Sequence, residues 1–178
     1  KDERPFITLG LPPSQSKVEA DKGVTHSMAN ETMFVELALR NWKLGTDRAD
    51  KFFAGQSEAD LQREIAPGKN RLIYIWGHLT AVNDALLPLL GFGPRLHPEL
   101  DAIFIRTPDR SVELTLSGAD VKRCWVQINE SLWRHFQGLS PAQWLERHTS
   151  VSEADFAREP HRNRYNVLLG RTGHLAEH

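Results

Sequence analysis

From Asn30 onward, apolar residues return at three- and four-residue spacing, the pattern of helices that bury one face. Phe34, Leu37, Ala38, Asn41 and Leu44 recur in that register with Glu36, Arg40 and Lys43 between them. This predicts an amphipathic helix continuing through Ala49 to Phe53 despite Gly45. Ser57 ahead of Asp60 predicts a short capped turn, and Pro67-Gly68 breaks the chain. A second helix is predicted from an Asn70 cap to about Leu90, with Leu72, Ile75, Trp76, Leu79, Val82, Leu86 and Leu90 as its apolar set and Gly91-Phe92-Gly93-Pro94 as its stop. Ser117 and Asp120 open a third, whose inward stripe is Val121, Cys124, Trp125, Ile128, Leu132, His135 and Phe136, with Gly138 at the cap position. Ser140-Pro141 starts a short helical turn. A last helix is predicted from near Arg162 to the end, with Val167, Gly170 or Arg171, His174 and His178 facing inward.

The remaining segments set the organisation. Residues 1–28 carry Pro5, Pro12 and Pro13 with little periodicity and read as an extended N-terminal arm, leaving 29–178 as one helical domain. Residues 94–117 are irregular; Ser111 to Leu116 alternates like a short strand but is read as loop. Four substantial helices with little strand signal predict an all-α four-helix bundle. The linker between its second and third helices is too long for a tight hairpin, so a crossover is expected there.

Composition narrows the function classes. With 22 Lys and Arg against 23 Asp and Glu, the 178-residue chain has a formal net charge of −1. It therefore has no strong basic field to gather nucleic acid. The longest apolar run, Ala85 to Leu90, is far too short for a membrane span, so a soluble protein is expected. One cysteine, Cys124, forms no intrachain disulfide, and a cytoplasmic location is the simpler expectation.

Eight histidines remain as the chemistry-bearing feature. His174 and His178 lie four apart on a predicted helix, stacked about one turn apart on one face, and two imidazoles so placed are able to close on one metal ion. The alternative is a pair of solvated histidines at a helix end, where their cationic forms suit the dipole. His78 sits mid-helix among Ile75, Leu79 and Val82. Both its ring nitrogens need partners there: a metal for one of them, or a carbonyl or hydroxyl in an ordinary core.

The run Pro67-Gly68-Lys69-Asn70-Arg71-Leu72-Ile73-Tyr74-Ile75-Trp76-Gly77-His78-Leu79, followed by Asp84, resembles the second helix of DinB-like (DinB/YfiT) metalloproteins, with its histidine in a GHL context. The terminal run from Asn166 through His174 to His178 is similar to that family's last helix, which ends in HxxxH. The resemblance implies a four-helix bundle with an unusual crossover, often dimeric, and a three-histidine divalent metal site whose ligands by position are His78, His174 and His178. It also implies chemistry: some members are S-transferases or isomerases that use low-molecular-weight thiols.

Other patterns are missing or weaker. There is no HExxH and no Glu-x-x-His, and one cysteine builds no thiolate site. His135 is a possible further ligand or supporting partner, more readily a core histidine, and Cys124 reads as packing. Trp42, Trp76, Trp125, Trp133 and Trp144 read as core. Arg158, Arg162, Arg164 and Arg171 cluster near the last helix, either gripping an anionic substrate or forming a solvated face. No general base is assigned, since Glu177 and His178, as sequence neighbours, point in different directions on a helix. The expected activity is a metal-dependent thiol transferase, isomerase or hydrolase with zinc or nickel as Lewis acid, a small thiol and an electrophile as partners, and a homodimer as the assembly. The rival is a non-catalytic metal-binding bundle in stress response or protein interaction.

Overall fold

A computed structural model of the chain describes residues 15–178, with side chains from residue 30. The described chain is all-α. Its helices are α1 (Gln15–Ala54), α2 (Glu58–Leu61), α3 (Leu72–Asp84), α4 (Leu86–Leu89), α5 (Leu100–Phe104), α6 (Gly118–Gly138), α7 (Pro141–Trp144), α8 (Glu153–Arg158) and α9 (Arg164–Glu177). Two isolated bridges, Glu64 with Arg71 and Arg147 with Asn163, are the extended pairings among the described residues.

The first helix differs from expectation in extent and in facing. It begins at Gln15, so residues 15–28 are helical and not an extended arm; the rest of that arm, residues 1–14, lies outside the described residues. The apolar periodicity that marks the helix starts only at residue 30, which is why the earlier turns carried no signal. The buried face is Val35, Ala38, Trp42, Thr46 and Phe53, whereas Phe34, Leu37 and Leu44 of the expected face are exposed at 55, 53 and 47%. Trp42 decides the rotation. Its ring stacks on Trp133 with centroids 6.1 Å apart and meets Phe136 edge-on at 5.0 Å. Burying an indole between two aromatic partners outweighs burying Phe34 and Leu37, because area removed from water is the dominant favourable term.

Three serines start helices as predicted. Ser57, Ser117 and Ser140 each accept from the backbone N–H three residues on, and Asp60, Asp120 and Gln143 reach back to the serine N–H. Ser152 caps α8, an element that the polar composition of its segment did not reveal. Asn70 does not cap the second predicted helix. The N-cap position is Arg71, and the Asp109 carboxylate, 38 residues away, accepts from its backbone N–H at 2.7 Å and from its guanidinium at 2.7 Å. That helix also ends earlier than expected. After Asp84 it gives way to α4, and the buried Asp84 carboxylate turns outward contacts into a knot, accepting from the Leu96 and His97 amides at 2.9 and 3.0 Å and from Arg95 at 3.1 Å.

α3 is the centre of the molecule. Ten of its thirteen residues are buried, including Ile73, Ile75, Trp76, Leu79 and Val82, so it is covered on all sides. α6 packs along it, burying Val121, Trp125, Ile128, Leu132 and Phe136. α1 packs along α9, where Gly45 lets Leu175 close in: a Cβ there would stand 3.0 Å from the leucine Cδ2. His135, expected inward, is exposed and stacks on Phe92 with centroids 4.7 Å apart. Gly138 closes α6 as its last helical residue; the cap is Leu139.

Candidate metal centre

The three histidines singled out from the sequence come together. One ring nitrogen from each of His78, His174 and His178 lies within 4.8 Å of the others. Ring centroids are separated by 5.3 Å for His78 with either partner and 4.7 Å for His174 with His178. His78 and His174 are half-buried and His178 is exposed.

Of the arrangements that the sequence left open, a backbone carbonyl takes one nitrogen of His78, and the other nitrogen faces a second histidine. Its Nδ1 lies 2.9 Å from the Phe104 carbonyl oxygen. A carbonyl only accepts, so Nδ1 carries the proton and Nε2 presents its lone pair. That lone pair faces His174 Nε2 at 3.2 Å. Two imidazole nitrogens bound at ~2.0–2.1 Å to one tetrahedral ion stand about 3.4 Å apart. The His78–His174 separation is close to that span, and His178 lies within 4.8 Å of both, so the donor set of three imidazoles suits a divalent ion after a small approach of His178.

The backbone oxygen that orients His78 is placed by α5, an element in the segment expected to be irregular. Gly77 is what admits it: a Cβ on residue 77 would fall well inside contact distance of the Phe104 ring. The loop beyond is tied to α3 twice more, by Tyr74 Oη donating to the Thr107 carbonyl at 2.6 Å and by the Arg71–Asp109 fork. Phe104 had no sequence signal, lying among prolines and bends. Gly77 had one: a glycine in the middle of an apolar helix, where helix propensity disfavours it.

Electrostatics favour neutral imidazoles in the C-terminal pair. Burial, then the neighbouring His178, Arg171 and His78 charges, push His174 below the ordinary histidine value. Burial and His78 do the same to His178. Glu177 opposes both shifts weakly, its carboxylate 3.9 Å from His174 Nδ1. The i, i+3 placement on α9 brings it there, a relation to His174 that a reading of it against His178 alone missed.

The other candidates separate from the cluster. Cys124 is half-buried against the core, and burial followed by Glu99 raises its thiol pKa, the opposite of an activated nucleophile. Trp42, Trp76, Trp125 and Trp144 are buried and Trp133 packs against them. Among the four arginines, Arg158 pairs with Asp155, Arg162 with Glu159 at 3.0 Å and Arg164 with Glu146 at 2.8 Å. Arg171 is half-buried one turn before His174, and burial lowers its pKa.

A small cavity of about 190 Å³ lies beside the cluster, lined by Asn70, Tyr74, Ile75, His78, Phe104, Ile105 and His178. No helix among the described residues is long and apolar enough to cross a membrane. Comparison with protein-family models gives no match, and comparison with curated proteins gives none either.

Proposed function

We propose that the chain is a DinB-like metalloprotein in which α1, α3, α6 and α9 form a four-helix bundle, crossed over between α3 and α6, around one divalent ion, zinc or nickel. The observation that carries this reading is the approach of His78 Nε2 to His174 Nε2 at 3.2 Å with the far nitrogen of His78 already committed to Phe104. Two facing lone-pair nitrogens repel each other unless a proton or a metal lies between them. In the metal-free chain a neutral His174 with its proton on Nε2 supplies that proton, and the lowered pKa values of His174 and His178 keep both imidazoles neutral, the form that binds a metal.

His78, His174 and His178 are the ligands in this reading, and Phe104 and Glu177 are their orienting partners. An ion with three imidazole ligands keeps a coordination position free and supplies Lewis acidity to a thiol or carbonyl compound. Tyr74 and Phe104 wall the small cavity beside it. The activity proposed is S-transfer or isomerisation with a small thiol, or hydrolysis, by a cytoplasmic homodimer.

Elemental analysis of gently purified protein tests the first step. One metal per chain, or stoichiometric uptake of added Zn²⁺ or Ni²⁺, is expected. Uptake far below one, unrestored by either ion, overturns the reading. Metal-loaded protein is then assayed with thiols and electrophiles. Inactivity across the panel removes the enzyme and leaves a non-catalytic metal-binding bundle.

A further inference from the structure

A larger cavity adjoins the histidine cluster. It encloses about 620 Å³ between α1, α3 and α9, a size in the range of small-molecule sites. Its wall is mostly hydrocarbon, with Leu44, Phe52, Phe53, Leu79, Leu169 and Leu175 among its members; Asn41, Arg48 and Thr172 add polar groups to it. Ile75 and His178 belong both to this wall and to the small cavity beside His78, so the partition between the two spaces includes a candidate metal ligand. Around the half-open side, Leu44, Phe52 and Leu169 stay 47, 52 and 44% exposed. Apolar side chains gathered at the mouth of a cavity mark a binding surface more than a solvated one.

Small residues keep the space empty. Gly173 lines the cavity, and a Cβ built on it would meet nothing within 4 Å. Ala49 and Ala176 line it too.

The geometry points to this cavity as the seat of a substrate's hydrocarbon part: the ligand is an acyl compound whose polar head reaches the three-histidine centre past His178 while a medium-length chain lies against Leu44, Phe53, Leu79 and Leu175. This rests on the metal reading above and adds to it a preference for chain length. The chain contributes through area removed from water, each fully buried methylene improving binding about fourfold.

The test uses hydroxamates, whose heads chelate divalent metals, on the full chain reconstituted with Zn²⁺ or Ni²⁺. Calorimetric titration compares acetohydroxamate with octanohydroxamate. Octanohydroxamate is expected to bind at least about 100-fold more tightly, less than six fully buried methylenes would give because the cavity is half-open. Gly173→Phe, whose Cβ enters open space, and Leu44→Asp, which sets a carboxylate in the wall near Arg48, should each leave acetohydroxamate affinity within about twofold and cut the octanohydroxamate advantage below about tenfold. Two results overturn the cavity assignment alone: equal affinity of the two compounds for the metal-loaded parent, or a parent dimer without chain-length preference that Leu44→Asp turns into monomer, which would make a second copy the occupant. If the protein takes up no metal, the metal reading fails and this inference falls with it; loaded protein that binds neither hydroxamate overturns this inference alone.

Discussion

The two helices that carry the histidines are held in different ways. α3 is buried on nearly every side, and its histidine is fixed at the far nitrogen by Phe104, with Gly77, Tyr74 and the Arg71–Asp109 fork holding the supporting loop in place. α9 has one fully buried residue, Leu168; His174 lies half-buried in its last turn, and His178 stands exposed at the cap position after it. One candidate ligand is therefore preorganised by packing, while the other two ride on a helix end with little burial. Fraying at a helix terminus is the low-stability end of a protein's local opening spectrum. A metal bridging the two helices would lend the order of α3 to α9.

Removing the fixed ligand breaks that relation most severely. His78→Ala is expected to weaken zinc binding at least about 100-fold by competition with a chelating dye, although the HxxxH pair survives. Retained affinity would make His78 a core residue only. Next comes the support of that ligand. Gly77→Ala drives a methyl group into Phe104 and should cost about 1–3 kcal/mol in chemical denaturation. By shifting the carbonyl that orients His78, it should also lower zinc affinity about 10–100-fold. Unchanged affinity in a destabilised protein would show that the Phe104 carbonyl does not prepare the site.

Acid acts on the weakly held half. The folded pKa values of His174 and His178 lie below the ordinary value near 6.5, so between them and 6.5 the unfolded chain binds more protons than the folded one. Stability of the metal-free protein should therefore be flat above pH 6.5 and fall as pH drops through that window. Zinc affinity should begin to fall below the same point, because imidazolium does not coordinate. Affinity unchanged from pH 8 to 5 would contradict histidine ligation. Hydrogen exchange reads the same asymmetry directly: zinc should slow exchange in the last turns of α9 far more than in α3. The smallest effect is expected from Gly170→Ala, whose new methyl group meets nothing within 4 Å. It should add up to about 1 kcal/mol of helix stability and raise zinc affinity a few-fold, by ordering α9 before the ion arrives. No gain in affinity would mean that α9 is already ordered without metal.

Legibility in the sequence followed the range of the interaction. Ser57, Ser117 and Ser140 start helices through bonds spanning three residues, and all three were visible in the sequence alone. The N-cap residue of α3, Arg71, is held by Asp109, 38 residues away, and no local pattern announces such a partner. The facing of α1 depends on Trp133 and Phe136, which lie nearly a hundred positions downstream, so Phe34 and Leu37 were mistaken for core. His135 failed for a related reason: Phe92 offered its ring a stacking surface outside the core. An i, i+4 pair and an apolar setting left the histidines open to a metal or an ordinary role, and the set of three came from the family resemblance; the carbonyl that fixes His78 was invisible because α5 is a short helix among prolines.

The Asp109 clasp has a consequence for how the molecule comes apart. Burial raises the pKa of this carboxyl, but the hydrogen bonds from the Arg71 side chain and amide, with the arginine's charge, outweigh that and hold it below the ordinary carboxylate value. The clasp thus keeps its charge throughout the range in which imidazoles take up protons, and yields only in stronger acid. Titrated slowly downward, the protein should pass through an intermediate condition in which the histidine cluster is protonated while the loop after α5 still grips the central helix. That order of events would make release of an ion reversible, with the scaffold intact for reloading.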